Sequence, residues 1–425
     1  MKKVKPFCLL GVLLYMAGYT SSLYAQTVIN YDEAKVGSYQ LPPLLQTEEG
    51  KQIATAKEWE QIQRPVLLQQ FSDHVYGRMP GKPRGMHFQV TANDAQALNG
   101  KATRREVRVY FTEAPDGPAM HLLLYLPNRV RGKAPVFIGL NFKGNHSVQK
   151  DAAITITDSW KRLHPNDTVL QRGEQEGRWP VEAMINSGYG LATAWYQDLE
   201  ADVENGWQTG VRTTLQKEFA IQPTEWAAIG VWAWGLSRMM DYLHTDPRVD
   251  ARQVVLTGHS RLGKAALWAG ANDPRFAIVV SNDSGEGGAA LARRNYGETI
   301  YRINTSFPHW FIERYKHYNT AVDQLPVDQH MLLALIAPRP LYVASAQDDQ
   351  WADPKGEFLG ALYASDVYRL YGKKGIDATE PPPVNHPVGE VVRYHIRPGK
   401  HDITTYDWQQ YIAFANKHFR YSYKP

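Results

Sequence analysis

Cysteine is almost missing from this chain: Cys8 is the sole one among 425 residues. It falls inside an N-terminal stretch that reads as a leader, so the chain beyond that stretch has no thiol. That excludes a disulfide framework and a cysteine-ligated metal. Charge of one sign is also scarce. The formal net charge is +4, and three of the lysines belong to the leader, which leaves about +1 and none of the basic excess of a nucleic-acid binder. After the leader no apolar run approaches the ~18 residues of a membrane span. Internal repeats, low-complexity tracts and linkers rich in proline, glycine or serine are absent too. The stretch DATEPPPVNHPVGE, residues 377–390, reads as a surface loop rather than a domain boundary.

The opening MKKVKPFCLLGVLLYMAGYTSSLYAQ has a basic start, an apolar run from Phe7 to about Gly18 and small residues up to Ala25. That is the pattern of a secretory signal peptide over 1–25, too short and wrongly flanked for a membrane anchor. It predicts a secreted or periplasmic protein. Residues 26–425 are then expected to form a single catalytic domain with an N-terminal extension, helical between Ala56 and Tyr76. Aromatics are plentiful, with twelve Trp and 24 Tyr, and serve both as core and as platforms under sugar rings.

Short β-rich runs follow: TRREVRVYF, HLLLYLP, PVFIGLNF, YGLATAWY, VVLTGHS, FAIVVSND, PLYVASAQ and VVRYHIRP. The first alternates polar and apolar residues, as a half-buried edge strand does. Several others are continuous apolar runs, as in strands covered on both faces. Helical stretches separate most of them. In one, PTEWAAIGVWAWGLSRMMDYLH, Ile229, Ala233, Leu236, Met240 and Leu243 recur at helical spacing. The alternation predicts an α/β protein with a mostly parallel central sheet and helices on both faces, in an α/β-hydrolase arrangement.

In such sheets ligands gather at the carboxyl ends of the strands. Ser260 sits at one, in VVLTGHSRLGKAALWAG. A nucleophile elbow needs small neighbours at a strained turn. Gly258 supplies one; Leu262 stands where the usual pattern has the second glycine, and Gly263 follows. Taken alone, GHS fits a helix N-cap serine equally well. A nucleophilic serine needs a base oriented by a carboxylate, and His401 follows the last strand, in the chain order Ser, acid, His. For the acid, Asp283 and Asp349 both follow strands on the way, with Asp348 and Asp353 close to the latter. Either loop can reach the outer nitrogen of His401, and the order of residues does not choose between them.

GHSRLGKAA resembles the Gly-Cys-Ser-Arg-x-Gly-Lys signature of carbohydrate esterase family fifteen, the glucuronoyl esterases. The resemblance extends through GLNFKGNH, GRWPVE, NDSGEGGAALARR, RRNYGETIYRIN, LPVDQHMLLALIAPRPLYVASAQDDQWADPKGEF and IRPGKHDIT. It is strongest toward the bacterial branch. His259 replaces the family's cysteine, and Asp283 stands where many members have glutamate. Aspartate is one methylene shorter, so Asp349 is favoured over Asp283, with joint action of the two left open.

The resemblance implies a serine esterase cleaving the ester between (4-O-methyl-)glucuronic acid of glucuronoxylan and lignin alcohols, without metal or organic cofactor. Two alternatives are an acetyl or feruloyl carbohydrate esterase of the same fold and a non-catalytic glycan-binding relative. Arg261 is expected to serve the oxyanion through its backbone N–H, and the resemblance adds its guanidinium. A cation at a helix N-terminus opposes the macrodipole, which invites a functional reason. A second backbone donor is expected between Phe142 and Asn145. Lys264 lies one helical turn beyond Ser260 on the same face; the resemblance assigns it, with Glu298 and Trp351, to the uronic acid. Arg178 and Trp179 are expected to frame the cleft.

Overall fold

Consecutive residues of the apolar runs point into two different cores. Val254 and Leu256, Val279, and Leu341 and Val343 join one cluster, while Val255, Ile278 and Val280, and Tyr342 and Ala344 join another. Side chains alternate across a strand, so these strands are buried on both faces. The computed structural model describes residues 29–421 and 423, apart from 115 and 167–170. The leader, with Cys8 and the cut after Ala25, lies outside the described residues.

Among the described residues ten strands form one sheet in the order β1-β2-β3-β5-β4-β6-β7-β8-β10-β9. They are β1 His87–Ala97, β2 Ala102–Tyr110, β3 Ala119–Pro127, β4 Ala134–Asn141, β5 Gly190–Trp195, β6 Val249–His259, β7 Ile278–Asn282, β8 Leu341–Ala346, β9 Val388–Gly389 and β10 Val392–Arg397. The six central strands, β5 to β10 through β4, β6, β7 and β8, are all parallel. The first three are antiparallel to their neighbours, as is the short β9. Helices Ala228–Leu243, Arg261–Asn272, Gln329–Ala334 and Pro354–Leu370 cover one face. Helices Val181–Asn186 and Thr405–Phe419 cover the other.

One expectation needs correction. TRREVRVYF is not an edge: β2 lies between β1 and β3. Its charges mislead because they are paired inside, Arg104 with Asp151 and Arg105 with Asp246. The true edge, β1, went unread because its polar sequence is mostly exposed. The helix Ala228–Leu243 is buried at every position but Asp241, because layers pack on more than the stripe its periodicity marks. The helix from Ala56 to Tyr76 is present, but with π turns at Trp59–Gln63 and Ser72–Tyr76. The stretch 377–390 is loop up to β9.

Parallel order has one consequence for function. Ser260 follows β6, Asp283 follows β7, Asp349 lies just past β8 and His401 just past β10. All four therefore stand at the same, carboxyl, end of adjacent strands.

Candidate active site

The corner after β6 is strained and tightly packed. Ser260 has φ 57° and ψ −132°, a region a non-glycine residue occupies only when its surroundings hold it there. Its N–H donates to Asn282 O at 2.9 Å, and its carbonyl accepts from Gly263 N at 2.8 Å. A Cβ on Gly258 would lie 2.1 Å from Leu262 O, and one on Gly263 would lie 2.9 Å from Ser284 Cβ. The glycine displaced by one position thus meets the same need for close approach. As a capping serine, Ser260 would accept from an N–H of the first turn; it makes no such side-chain bond. Its hydroxyl is not spent on the helix.

His401 Nδ1 stands 2.5 Å from Asp349 Oδ2. A carboxylate accepts, so the proton sits on Nδ1 and Nε2 is left with its lone pair. Asp349 is buried, while the His401 side chain is 39% exposed. The loop carrying His401 is shaped by Arg397, which donates to Pro398 O at 3.0 Å and Lys400 O at 3.1 Å and also to Asp402 O. Arg397 in turn is held by Asp407 Oδ2 at 2.8 Å.

Asp283 is close but differently employed. Its Oδ2 lies 3.3 Å from Arg397 Nη2, and its buried Oδ1 has no hydrogen-bond partner. Burial, then the nearby Glu357 and Asp349 carboxylates, push its carboxyl well above the ordinary range against the pull of Arg397. Donor atoms of Asp283, Asp349 and His401 all lie within 4.8 Å of one another. Two carboxyls and an imidazole are ligand types for a cation, but here Asp349 and Asp283 already answer to His401 and Arg397.

His259, where the family pattern has cysteine, packs its ring 4.6 Å from that of His401. Asn282 donates through Nδ2 to Tyr411, so its Oδ1 faces His259 Nδ1 at 2.7 Å and accepts. Burial, then the neighbouring His401, hold the His259 pKa well below its ordinary value. The ring stays neutral and adds no charge against a protonated His401.

Arg261 points its guanidinium under a roof of aromatic rings, 4.5 Å from the Trp310 centroid and 5.3 Å from that of Phe307. Asp202 pairs with its Nη1. The same carboxylate accepts from Trp310 Nε1 at 2.7 Å, from Tyr196 Oη at 2.9 Å and lies 2.8 Å from His309 Nε2. Burial pushes Asp202 upward, but His309, Arg261, Trp310 and Tyr196 outweigh it and bring the pKa down to about 2. The Arg261 Nε is buried without a partner.

Lys264 is 3% exposed. Its Nζ donates to Ser284 O at 2.6 Å and lies 3.6 Å from Glu298 Oε2. Burial lowers the lysine and raises the glutamate, and each partner's charge opposes that drift. The Glu298 N–H donates to Trp351 O at 2.9 Å.

One cavity of about 350 Å³ is lined by Ser260, Arg261, Lys264, Asp283, Glu298, Asp349, Trp351 and His401, together with Phe307 and Trp310. All eight residues singled out in the sequence meet there. Phe142 to Asn145 do not line it; the Asn145 amide is bound to His121 O and Asn141. Arg178 and Trp179 flank a small recess behind His259 instead, with Arg178 Nε 2.6 Å from Asp402. Sequence reasoning missed Asp202, His309, Trp310 and Arg397. The first three come from segments with no strand or motif to mark them. Arg397 had a weak signal, a cation at the end of the last strand.

Comparison with known proteins gives the family. A family model described as glucuronyl esterase, fungi, matches residues 154–372. A carbohydrate esterase of an unknown prokaryotic organism is 46% identical over 406 residues, covering 93% of this chain and 94% of that protein. A 4-O-methyl-glucuronoyl methylesterase of Phanerochaete chrysosporium is 28% identical over 236 residues, 52% of this chain and 50% of that one. A solved glucuronoyl esterase from Solibacter usitatus superposes with a TM-score of 0.87 at 49% identity, covering 91% of this chain and all of that one. The chain belongs to carbohydrate esterase family fifteen, the glucuronoyl esterases, on its bacterial side, and is a carboxylic ester hydrolase.

Proposed function

We propose that this protein is a serine esterase cleaving the ester between (4-O-methyl-)glucuronic acid of glucuronoxylan and lignin alcohols. In this reading Ser260 Oγ attacks the uronate carbonyl and His401 Nε2 takes its proton, with Asp349 holding the ring and its developing charge. The tetrahedral oxyanion meets the Arg261 backbone N–H, an orphan donor of the first helical turn, and the Arg261 guanidinium. Preorganised donors of this kind are usually the largest catalytic contribution. The guanidinium serves as the second donor. The alcohol leaves on protonation by His401, and water then releases the uronic acid by the same steps reversed. Lys264, Glu298 and Trp351 bind the sugar ring, the charged pair at its hydroxyls and the indole at its apolar face. Asp283, buried against Arg397, steadies the His401 loop.

The observation that carries the reading is the 2.5 Å contact of His401 Nδ1 with Asp349 in the cavity that also holds an uncommitted Ser260 hydroxyl. Hydrolysis of benzyl glucuronate compared with 4-nitrophenyl acetate tests it. Preference for the uronate is expected; equal or faster turnover of the acetate would point to an acetyl esterase instead. Ser260→Ala should abolish turnover and leave sugar binding nearly intact, which a purely glycan-binding relative would not show.

The strand order supports an α/β-hydrolase arrangement, and the single sheet supports one catalytic domain over 26–425. Among the described residues no helix is long and apolar enough to cross a membrane. Export by the leader 1–25 is part of the proposal, and the N-terminal sequence of the exported protein would check it.

A further inference from the structure

The N-terminal extension has no role in the esterase reading, yet its first described residues lie against one wall of the ester cavity. That wall comes from two segments far apart in the chain. The segment after β7 carries Glu298 and the segment after β8 carries Trp351, and both residues line the cavity. The bond from Glu298 N to Trp351 O, 2.9 Å long, joins them directly. Tyr296 Oη also donates to Gln350 Oε1.

One guanidinium ties the same two segments again. The Arg294 side chain is buried. Its Nε donates to Asp353 Oδ2 at 2.7 Å and its Nη2 to Asp353 Oδ1 at 3.3 Å. On the other edge Nη1 donates to Glu33 Oε1 at 3.1 Å and Nη2 to Glu33 Oε2 at 2.8 Å. Two-pronged pairs of this kind fix orientation as well as supplying energy. Glu33 also lies 3.2 Å from Lys355 Nζ, at the start of the helix Pro354–Leu370. One carboxylate, 261 positions before Arg294, therefore bridges a cation from each segment. Arg294, foremost, holds the Glu33 carboxyl below its ordinary range, so it is ionised at neutral pH. Backbone contacts seat the same stretch: Gly297 N donates to Asn30 O at 2.9 Å, and Tyr296 Oη lies 3.2 Å from Tyr31 O.

We propose that Asn30–Lys35 is a strap that sets the spacing of Glu298 and Trp351, with Glu33 as a positioning residue for binding of the uronic acid ring. The proposal rests on the esterase reading above for the identity of that ring. Glu33 does not line the cavity and acts through Arg294 and Lys355. Without its charge one edge of the Arg294 guanidinium is released and the two segments can drift apart. Ser260 and His401 are held by other bonds, to Asn282 O and to Asp349, so sugar binding suffers before chemistry does.

Glu33→Gln keeps the size of the side chain and removes the charge. Its KM on benzyl glucuronate should rise about three- to tenfold, with kcat within about twofold of wild type. On 4-nitrophenyl acetate, which has no sugar ring to position, kcat/KM should move by less than about twofold. Adding Lys355→Gln should cost little more, because both cations answer to the same carboxylate. Equal losses on the two substrates, or an unchanged KM on the uronate, would overturn the strap.

Amide hydrogen exchange gives a readout that needs no turnover. In Glu33→Gln the N–H groups of Gly297 and Glu298 should exchange about three- to tenfold faster, while those of β6 and β7 keep their wild-type rates. Unchanged exchange at 297 and 298, or faster exchange throughout the sheet, would overturn the proposal whatever KM does. A wild type that hydrolyses no glucuronate ester would defeat the esterase reading, whereas the hold of the strap on the two segments is decided by exchange alone.

Discussion

At His401 two carboxyl groups compete for the same imidazole, and hydrogen-bond geometry separates them. Asp349 faces Nδ1 at 2.5 Å, whereas Asp283 faces a guanidinium at 3.3 Å. Asp349→Asn is therefore expected to lower kcat on a glucuronate ester by roughly 10³- to 10⁴-fold, because an amide oriented to donate favours the wrong tautomer of the ring. Asp283→Asn should cost no more than about tenfold, the scale of one weakened hydrogen bond. Steady-state kinetics of the two variants checks both; a reversed order would move the acid to Asp283. Arg261 has the corresponding support in Asp202. Arg261→Ala should lower kcat about 10²- to 10³-fold, and Asp202→Asn by less, since the guanidinium remains but is free to wander. In the double variant the two losses should not add, because both act through one group.

The strand–turn–helix element around Ser260 sets different limits. Its φ of 57° persists because residues 258 and 263 leave room for the chain to pass itself. In Gly258→Ala the new methyl would meet Leu262 O at 2.1 Å, and neither partner is a side chain that can swing away. Overpacking of this sort costs typically ~1–3 kcal/mol or more, and at ~2.1 cal/mol/K of unfolding entropy per residue each kcal/mol moves the melting temperature of a chain of ~400 residues by roughly 1 °C. A drop of about 1–4 °C with near-complete loss of esterase activity is expected from a thermal melt and an assay. Helix Pro354–Leu370 shows how an element steadies the site at a distance. Its Glu357 accepts from Ser284 N at 2.7 Å, Gly285 N at 3.0 Å and Ser345 Oγ at 2.6 Å, tying the loop after β7 to β8.

Across the whole molecule, buried carboxyls link stability to pH. Glu286 is fully enclosed; burial raises its pKa to about 8 against the hydrogen bond from Tyr315. The unfolded chain holds this group near ~4.3, so between those values the folded state binds the extra proton. Stability from this group is thus greatest at low pH, falls as pH rises toward 8 and is constant above it. Melting temperatures at about pH 5 and about pH 8 should differ less in Glu286→Gln than in wild type, by several degrees. The difference between the two curves is the measurement, because groups such as Asp202, held low, act in the opposite sense at acid pH. Identical curves would show that Glu286 does not titrate in the fold.

The sequence alone determined the layered alternation of strands and helices, the serine corner and the late histidine. Each rests on local information: apolar period, turn residues, and position just past a strand. It left the acid open, misplaced β2 at an edge, gave no sign of Asp202 and only a weak one of Arg397. Those depend on side chains that meet across 52 residues for Asp349 and His401, 59 for Asp202 and Arg261 and 114 for Asp283 and Arg397. Strand order, register and rotamer fix such meetings, and none of these is encoded in any short window of the chain. Only the folded sheet, by bringing the carboxyl ends of β6, β7, β8 and β10 side by side, decided which carboxylate faces the imidazole.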